Sequence, residues 1–285
     1  MNILVLGGNR FFGKEVLKKL LSKNHKVYLV NRCSRKNLHH KNLKIICTDR
    51  KNLKKHFEIF EKLYFEKIFD NIAYSLKEVK LLTNFLKGKF NHYILTSSSI
   101  SYLDVKTNYE KKEIDWNKGR VTKDFKKKYN FSEIKYALNK RKIENFLIKN
   151  KKILSTIIRI PNVIGKGDFS KKTQKLIKFN YDSKKNDIFG DQFIQFIFKD
   201  DLVKIILKII NSKPKKKNQY NIANKKVKIK DFYNLILQNK NIKRKYISFV
   251  GNDFPVPINT FLNCKKIKKR FNFKFSNLNK ILSSL

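Results

Sequence analysis

The sequence predicts an α/β fold in which a doubly wound parallel sheet is joined to a smaller C-terminal lobe. Short apolar segments alternate with segments of helical period through the first half of the chain. The first apolar segment runs into the glycine-rich stretch GGNRFFG at 7–13, and the fifth runs into the hydroxyl-rich stretch TSSS at 96–99. In a parallel sheet with right-handed crossovers, both stretches lie at the carboxyl edge, where ligands bind.

The predicted strands are short and apolar, and each predicted helix has one apolar face. The strands are predicted at 3–6, 25–30, 44–47, 67–73, 91–96, 154–160 and 219–223. The helices are predicted at 14–21, 77–86, 132–149 and 202–210, with a basic helix near 264–271. Residues 103–131 are polar and irregular. We therefore expect a domain of residues 1–165, to which a strand at 218–223 returns, and a lobe of residues 166–285.

The composition indicates a globular protein with an excess of positive charge. The chain has 285 residues, of which 41% are hydrophobic, and 67 Lys and Arg against 22 Asp and Glu give a formal net charge of +45. Such a charge favours nucleic acid, anionic membranes or phosphate-bearing ligands. The lysines are scattered along the whole chain, and Lys, Asn, Ile and Phe can all be encoded by A- and T-rich codons. A compositional bias is therefore favoured over a dedicated nucleic-acid surface.

The cysteines, histidines and N-terminal residues predict a cytoplasmic protein that holds no metal. Cys33, Cys47 and Cys264 form no CxxC pair and no even-numbered framework, which predicts a reducing compartment. The histidines lack the HxxxH or HxH spacing of a metal site. No basic leader precedes the first apolar stretch, and that stretch is too short to span a bilayer. We expect a soluble protein with no membrane partner.

The glycine-rich stretch predicts a nucleotide site of the Rossmann type. Gly7 and Gly8 can form a tight turn, and Gly13 allows the helix to pack closely on the strand. The helix N-terminus then offers amide donors and a positive dipole to a pyrophosphate. Glycines also end many strands that bind nothing, but a strand, a turn and a helix in this order favour the nucleotide site. Arg10 stands where such a turn usually has its middle glycine.

The end of the second strand favours NADP over NAD. An acidic residue is usual there, because it binds the ribose hydroxyls of NAD. This chain has Asn31 and Arg32 instead, so no carboxylate repels a 2′-phosphate and the arginine could pair with one. Arg32 could equally be one more solvated charge.

Two further groups carry candidate chemistry. Tyr136 and Lys140 lie four residues apart on one helix face, where an ammonium lowers the pKa of a phenol. Tyr102 and Tyr181 are also followed by a lysine four residues later, but only Tyr136 lies in a clearly predicted helix between two predicted strands. In the serine cluster of residues 96–99, a hydroxyl could bond a substrate oxygen beside Tyr136, or the cluster could merely cap a strand exit. No His-Asp pair accompanies it, so a hydrolase triad is not indicated.

Together these motifs resemble the extended short-chain dehydrogenase/reductase family, in its NAD-dependent sugar epimerase/dehydratase group, over almost the full length. GGNRFFG is similar to the family's GGxxGFIG, HYILTSSSISY to FIFSSSxxxY, and YALNK to YxxxK. RIPNVIGKGD is similar to RxxNVYGPGD, FGDQFIQFIFKDDL to xGDGxQxRDFIxVDDL, and NQYNIA to xxYNIG. The resemblance assigns catalysis to Ser98, Tyr136 and Lys140, and it places Asn162 near a nucleotide-sugar.

A subgroup of that family carries GGTRFxG in the first turn, NRG after strand two and GDRR after strand three. This chain has Arg10, NRC at 31–33 and TDRKN at 48–52. The resemblance implies that Asp49 bonds the adenine and that Arg50 lies near the ribose or its phosphate. With Arg10 and Arg32, Arg50 would then surround one adenosine. Some plastid members of the subgroup bind RNA, which leaves an RNA- or nucleotide-binding protein as the alternative.

The expected reaction is a hydride transfer on a sugar, with NADP or NAD as cofactor. Tyr136 would take a proton from a sugar hydroxyl, Lys140 would lower the tyrosine pKa and hold the nicotinamide ribose, and Ser98 would bond the same oxygen. The expected cofactor-binding residues are Gly7, Gly8, Asn9, Arg10, Phe11, Phe12, Gly13, Asn31, Arg32, Asp49, Arg50, Ala73, Tyr74, Thr96, Tyr136, Lys140, Pro161 and Val163. The expected substrate-binding residues are Ser98 and Asn162.

Departures from the family pattern favour some of the family's reactions over others, but they do not identify the substrate. The segment Ser98-Ser99-Ile100 replaces the Thr-Asp-Glu of 4,6-dehydratases, so an epimerase or a reductase is favoured over dehydration. Gln192 and Gln195 flank the place of an arginine that often contacts the nucleotide diphosphate, and Asn263 replaces an Asp. The family often dimerises through a four-helix bundle, for which the helices at 77–86 and 132–149 are the candidates.

Overall fold

The computed structural model describes residues 1–178, 192–238 and 261–285, which form two compact units. The first unit comprises Met1–Lys106, Glu113–Arg159 and Val203–Tyr220. The second comprises Thr107–Lys112, Ile160–Leu202 and Asn221–Leu285. The domain boundary expected at residue 165 stays a prediction. Tyr181, and the rest of the expected lobe between 179 and 191, lie outside the described residues.

The elements follow the predicted order, with strands and helices alternating through the first unit. The strands are β1 Asn2–Leu6, β2 Lys26–Asn31, β3 Leu43–Cys47, β4 Phe65–Asp70, β5 Phe90–Ser98, β6 Ser155–Ile160, β7 Val163–Ile164, β8 Phe193–Ile194, β9 Ile197–Phe198, β10 Asn218–Asn221 and β11 Val227–Lys228. The helices are α1 Phe11–Ser22, α2 Phe57–Glu61, α3 Leu76–Phe85, α4 Lys123–Lys128, α5 Phe131–Lys149, α6 Lys172–Lys178, α7 Lys199–Asn211, α8 Ile229–Gln238, α9 Lys265–Phe271 and α10 Leu278–Ser283.

A seven-stranded sheet in the order β10-β6-β5-β4-β1-β2-β3 forms the centre of the fold and confirms the predicted fold class. Strand β1 pairs in parallel with β2 on one side and with β4 on the other. The strand order reverses at β1, so the carboxyl ends of β1 and β4 border the topological switch point, where such sheets bind ligands. The glycine turn follows β1 at this edge.

Apolar periodicity explains why the flanking helices pack where they do. The apolar residues of α1 recur at helical spacing, and all four predicted core positions, Val16, Leu17, Leu20 and Leu21, are buried. Helix α5 begins with a capping box, in which the Asn130 side chain accepts from the Glu133 amide and Glu133 bonds back to the Asn130 amide. This box fixes the start of the helix that carries Tyr136 and Lys140.

Several boundaries differ from those predicted by periodicity, and one segment that was expected to be irregular contains a helix. Strand β4 ends at Asp70 and not at 73, because the Asp70 carboxylate accepts a hydrogen bond from the Ile72 amide and turns the chain. Helix α1 begins three residues early, at Phe11 inside the glycine-rich stretch. The segment 103–131, expected to be irregular, contains α4, whose N-terminus is capped by the Thr122 side chain.

A disulfide joins Cys33 and Cys47, with 5.3 Å between their Cα atoms. The expectation of unpaired cysteines was therefore wrong, and the inferred reducing compartment loses that support. The 14-residue separation gives no pairing signal in sequence, but β2 and β3 are neighbours in the sheet. In the parallel pair of β2 and β3, Asn31 lies opposite Cys47. Cys33 follows Asn31 by two residues, so its sulfur can reach that of Cys47. Cys264 is buried and is not part of this disulfide.

The second unit has its own apolar core and two small sheets. Strands β8 and β11 pair antiparallel, and β7 and β9 pair in parallel. Within its core, Asp201 accepts hydrogen bonds from the Asn224 side chain and from Ser276. In neither unit is any described helix long and apolar enough to cross a membrane.

Candidate active site

The turn after β1 is shaped so that only glycine fits at its two most crowded positions. Gly7 has φ +89°, and a Cβ there would lie 2.5 Å from Cγ2 of Ile72. A Cβ on Gly13 would lie 2.4 Å from the carbonyl oxygen of Gly7. The side-chain amide of Asn71 donates to that same carbonyl at 3.3 Å. The turn and the start of α1 are therefore packed against the end of β4, as close backbone approach to a phosphate requires.

The N-terminus of α1 has the features of an anion site. No side chain caps this helix, and its first turn contains no acidic residue. Arg10, an exposed residue, precedes the helix, and Phe11 adopts φ +47°. Backbone amides at such a terminus attract negative charge through the helix dipole. Together with the glycine-lined turn, this terminus fits the pyrophosphate of a dinucleotide.

An asparagine cluster follows β2, at the place where the ribose of a dinucleotide is expected. The side-chain amides of Asn9 and Asn31 both donate to Oδ1 of Asn37, at 2.7 and 3.0 Å. Oδ1 of Asn31 accepts from the amide of Cys33 at 2.6 Å, and the neighbouring Arg32 is exposed. Sequence reasoning selected Asn9, Asn31 and Arg32 but missed Asn37, because nothing in its spacing marks it as their common partner.

A buried carboxylate binds the side chain of Arg50, one of the residues expected around the adenosine. Its guanidinium makes two hydrogen bonds to the Asp70 carboxylate, at 3.0 and 2.8 Å, and the residue is only 7% exposed. Burial is the largest single influence and lowers the pKa of Arg50, but the charge of Asp70, its hydrogen bonds and the charge of Glu78 together outweigh burial and raise that pKa. The Tyr93 hydroxyl donates to the same carboxylate. This buried carboxylate engages the guanidinium, and the expectation that Arg50 lies near a ribose phosphate stays a prediction.

Three other expected ligand positions lie close to this pair in the sequence. The side chain of Asp49 accepts from the Lys51 amide at 2.9 Å, so it caps the 3-10 helix Arg50–His56. Its expected bond to adenine stays a prediction. Ala73 is fully buried after β4, whereas Tyr74 is 54% exposed.

Ser98, Tyr136 and Lys140, the predicted catalytic residues, are brought together by β5 and α5. Ser98 ends β5, where its Oγ accepts from the Ile100 amide, and its side chain lies close enough to Tyr136 to lower the pKa of the phenol. Nζ of Lys140 donates to the Thr96 carbonyl at 2.9 Å and lies 5.6 Å from the ring centroid of Tyr136. The strand therefore supplies the hydroxyl, and one helix face supplies the phenol and the ammonium.

Burial dominates the electrostatics of this trio. Burial raises the pKa of Tyr136 to about 12, the nearby Tyr74 adds to the effect, and the hydrogen bond from Ser98 opposes it. Burial also lowers the pKa of Lys140 to about 8, against the opposite influence of Asp70 and Glu144. Both groups are therefore held closer to their neutral forms than they would be in water.

A buried ion pair fixes the strand that carries Ser98. Glu144, one turn after Lys140, accepts from Ser97 Oγ through one oxygen. Its other oxygen accepts from Nε of Arg159 at 2.8 Å, and Arg159 also donates to Gln219 at 2.6 Å. Glu144 and Arg159 are both fully buried. Sequence reasoning missed Glu144 as a partner of Ser97, although its i+4 spacing from Lys140 marks the same helix face.

The remaining expected site residues belong to the second unit. Asn162 lies between Pro161 and Val163, at the start of β7, and its Oδ1 accepts from Nζ of Lys172 at 3.1 Å. Gln195, noted near the missing arginine, is buried, and its side chain bonds to the backbone of Asn224 and Leu262. The expected roles of residues 161–163 stay predictions.

Comparisons of sequence and of structure give different results. No protein-family model and no curated protein matches the sequence. The structure is similar to UDP-glucose 4-epimerase from Thermotoga maritima, solved with UDP-glucose, at a TM-score of 0.75 and 16% identity, over 100% of this chain and 97% of that chain. It is also similar to dTDP-glucose 4,6-dehydratase from Bacillus anthracis, solved with NAD, at 0.71 and 14%, over 100% and 94%.

A third similar structure is the UDP-glucose 4-epimerase of Thermus thermophilus, solved with NAD. Its TM-score is 0.72 at 13% identity, and the match covers 100% of this chain and 97% of that chain. At these identities the likeness establishes a common architecture over the whole length. The chain therefore has the Rossmann-type α/β fold found in these epimerase and dehydratase structures.

Proposed function

We propose that the protein is an NAD(P)-dependent oxidoreductase of nucleotide-sugars, an epimerase or a reductase of the extended short-chain dehydrogenase/reductase type. The observation that carries this proposal is the assembly of Ser98, Tyr136 and Lys140 at the carboxyl edge of a sheet whose first turn admits only glycine at two positions. Solved structures of the same fold were obtained with NAD and with UDP-glucose.

The chain's own residues supply the proton chemistry of this reaction. A bound oxidised nicotinamide would supply the hydride acceptor and a positive charge near the phenol. Tyr136 Oη takes the proton of the sugar hydroxyl, and Ser98 Oγ bonds the same oxygen as it becomes a carbonyl. The charge of the Lys140 ammonium, 5.6 Å from the ring centroid of Tyr136, favours the phenolate form and opposes the burial that raises the phenol pKa. The same tyrosine returns the proton when the carbonyl is reduced.

The proposed cofactor is NADP or NAD, and the residues after β2 favour NADP. Arg10 and Arg32 are exposed, so both can reach a phosphate, whereas Arg50 is held by Asp70. Two of the three arginines expected around the adenosine therefore support the preference. Asn31 adds no negative charge that would oppose a 2′-phosphate.

Melting temperatures measured with NAD, NADH, NADP and NADPH test the cofactor proposal. We expect a stabilising shift with at least one of them, since a ligand that binds only the folded protein raises its stability. The absence of any shift would contradict the proposal. A panel of UDP-, GDP- and dTDP-sugars, followed by nicotinamide absorbance and NMR of the sugar, then separates a reductase from an epimerase. A reductase consumes cofactor, whereas an epimerase changes the sugar and leaves the cofactor unchanged.

A role in binding RNA is the competing function and is not favoured by the site. A protein that only binds RNA does not need the phenol, ammonium and hydroxyl that meet at the end of β5. Titration of RNA in rising salt tests this alternative. Binding driven only by the +45 charge falls steeply with salt. Salt-resistant RNA binding, together with no cofactor binding, would replace the oxidoreductase proposal.

We also propose a homodimer formed through α3 and α5. Leu81 on α3 and Phe131 at the start of α5 are exposed apolar side chains, 37% and 81% accessible. Sedimentation equilibrium measures the mass directly. A mass near 68 kDa, twice the 34.0 kDa of one chain, is the expected result, and a mass of one chain at micromolar concentration would contradict it.

A further inference from the structure

Tyr74 lies beside the catalytic pair, in the short segment between β4 and α3. Its ring centroid is 6.1 Å from that of Tyr136, and the two ring planes are inclined by 46°. The side chain is half-exposed, which is unusual for a large aromatic residue next to buried catalytic groups. Its position therefore calls for a role other than core packing.

The ammonium of Lys140 lies close to both tyrosine rings. Nζ is 5.2 Å from the ring centroid of Tyr74 and 5.6 Å from that of Tyr136, both within the range of a cation–π contact. Lys140 itself is only 2% exposed, although Tyr74 next to it is half-exposed. Thus the outer face of Tyr74 meets solvent while its ring contacts a buried ammonium.

We propose that Tyr74 is a positioning residue that shields the Lys140 ammonium from water and holds it against Tyr136. It acts through Lys140 and takes no part in proton transfer. The effect of this shielding on catalysis rests on the proposed function. The shielding of Lys140 itself can be measured in the protein without any ligand.

The charged groups around Lys140 and its burial determine how removal of the Tyr74 ring would change the pKa of Lys140. Burial is the largest influence and lowers the pKa of Lys140 to about 8. Asp70 and Glu144 raise this pKa, and Arg50 lowers it. Replacing the Tyr74 ring by a small side chain admits water to the ammonium and leaves these three charges in place. The pKa should then rise toward the ordinary lysine value of about 10.4.

Trace acetylation of the ligand-free protein with acetic anhydride between pH 6 and 11 measures this pKa. Only the neutral amine reacts, and acetylated Lys140 resists trypsin, so the labelled site appears in the peptide YALNKR at 136–141. The variants are Tyr74→Ala, which removes the ring, and Tyr74→Phe, which keeps it. Tyr109→Ala is the matched control, because Tyr109 is also half-exposed and has Lys112 over its ring at 5.5 Å.

We expect a labelling midpoint near pH 8 for the wild type, Tyr74→Phe and Tyr109→Ala, and a midpoint above pH 9 for Tyr74→Ala. An unchanged midpoint in Tyr74→Ala, or an equal rise in Tyr74→Phe, would overturn the proposal. Tyr74→Ser is interpreted in the same way and replaces Tyr74→Ala if that variant fails to fold. No cofactor is present in the labelling experiment, so its result is independent of the melting-temperature test. That test alone decides the proposed function, and the labelling decides the role of Tyr74.

Discussion

Arg50 and Asp70 form a buried pair of two parallel hydrogen bonds between the segment after β3 and the end of β4. The Asp70 carboxylate is fully buried, and it also accepts from Tyr93 and from the Ile72 amide. One carboxylate therefore joins three segments that border the proposed cofactor site. The pair engages the Arg50 guanidinium, and the same carboxylate fixes the chain turn that leads to Tyr74.

Asp70→Asn should destabilise the protein by about 3–5 kcal/mol, because it leaves the Arg50 guanidinium buried without its counter-charge. Urea denaturation followed by circular dichroism measures this loss. Asp124→Asn is the control, since Asp124 forms its ion pair with Lys106 in full exposure to solvent. We expect no measurable change in the control. Equal stabilities of Asp70→Asn and the wild type would show that the pair contributes no net stability.

Gly13→Ala should abolish the cofactor-induced melting shift. The new Cβ would lie 2.4 Å from the Gly7 carbonyl and would force the turn away from the helix. Gly88→Ala is the control for the added Cβ, because a Cβ on Gly88 meets nothing within 4 Å, although Gly88, unlike Gly13, has a positive φ of +74°. It should lose a little stability, about 1 kcal/mol, and keep the shift. A normal shift in Gly13→Ala would exclude this turn as the pyrophosphate site.

Tyr136→Phe should lower turnover on an identified sugar by about 10²–10⁴-fold, because it removes the only group assigned to proton transfer. The melting shift with cofactor should persist, since the phenyl ring still lies against Lys140. Tyr109→Phe serves as the surface control and should keep full turnover. Full turnover in Tyr136→Phe would assign the proton transfer to a different group.

The Cys33–Cys47 disulfide should stabilise the protein by about 3 kcal/mol, the value expected for a closed loop of this length. Dithiothreitol should lower the melting temperature of the wild type and leave that of the Cys33→Ser/Cys47→Ser variant unchanged. Thiol counting in denaturant checks the pairing itself. One thiol, that of Cys264, should react before reduction and three after it. Three reactive thiols before reduction would contradict the disulfide.

Periodicity and motifs predicted the sheet, its helices and the proximity of Ser98, Tyr136 and Lys140, because these depend on local spacing along the chain. They could not predict partners set by tertiary structure. The side chain of Arg50 was expected to face a ligand, but its partner Asp70 lies 20 residues away and becomes visible only when β4 is placed. The Cys33–Cys47 pair depends in the same way on the register of β2 and β3.

His92 should make the stability of the protein depend on pH on the acid side of neutrality. It is fully buried between Nζ of Lys67 at 3.2 Å and Oγ1 of Thr156 at 2.9 Å. Burial, and then the charge of Lys67, lower its pKa to about 3. The unfolded chain binds a proton near pH 6.5 and the folded protein does not, so stability falls as the pH drops from 6.5 toward 3.

At pH 5 this single group should cost about 2 kcal/mol relative to pH 7. Urea denaturation at pH 5, 6 and 7 measures the loss in the wild type and in His92→Gln, whose side chain does not titrate. The variant starts from a lower stability, but its stability should fall less between pH 7 and 5, because the linked proton is absent. His25, whose pKa burial also lowers, keeps its own smaller contribution in both proteins. Identical pH dependence of the two proteins would show that His92 takes up a proton in the folded state.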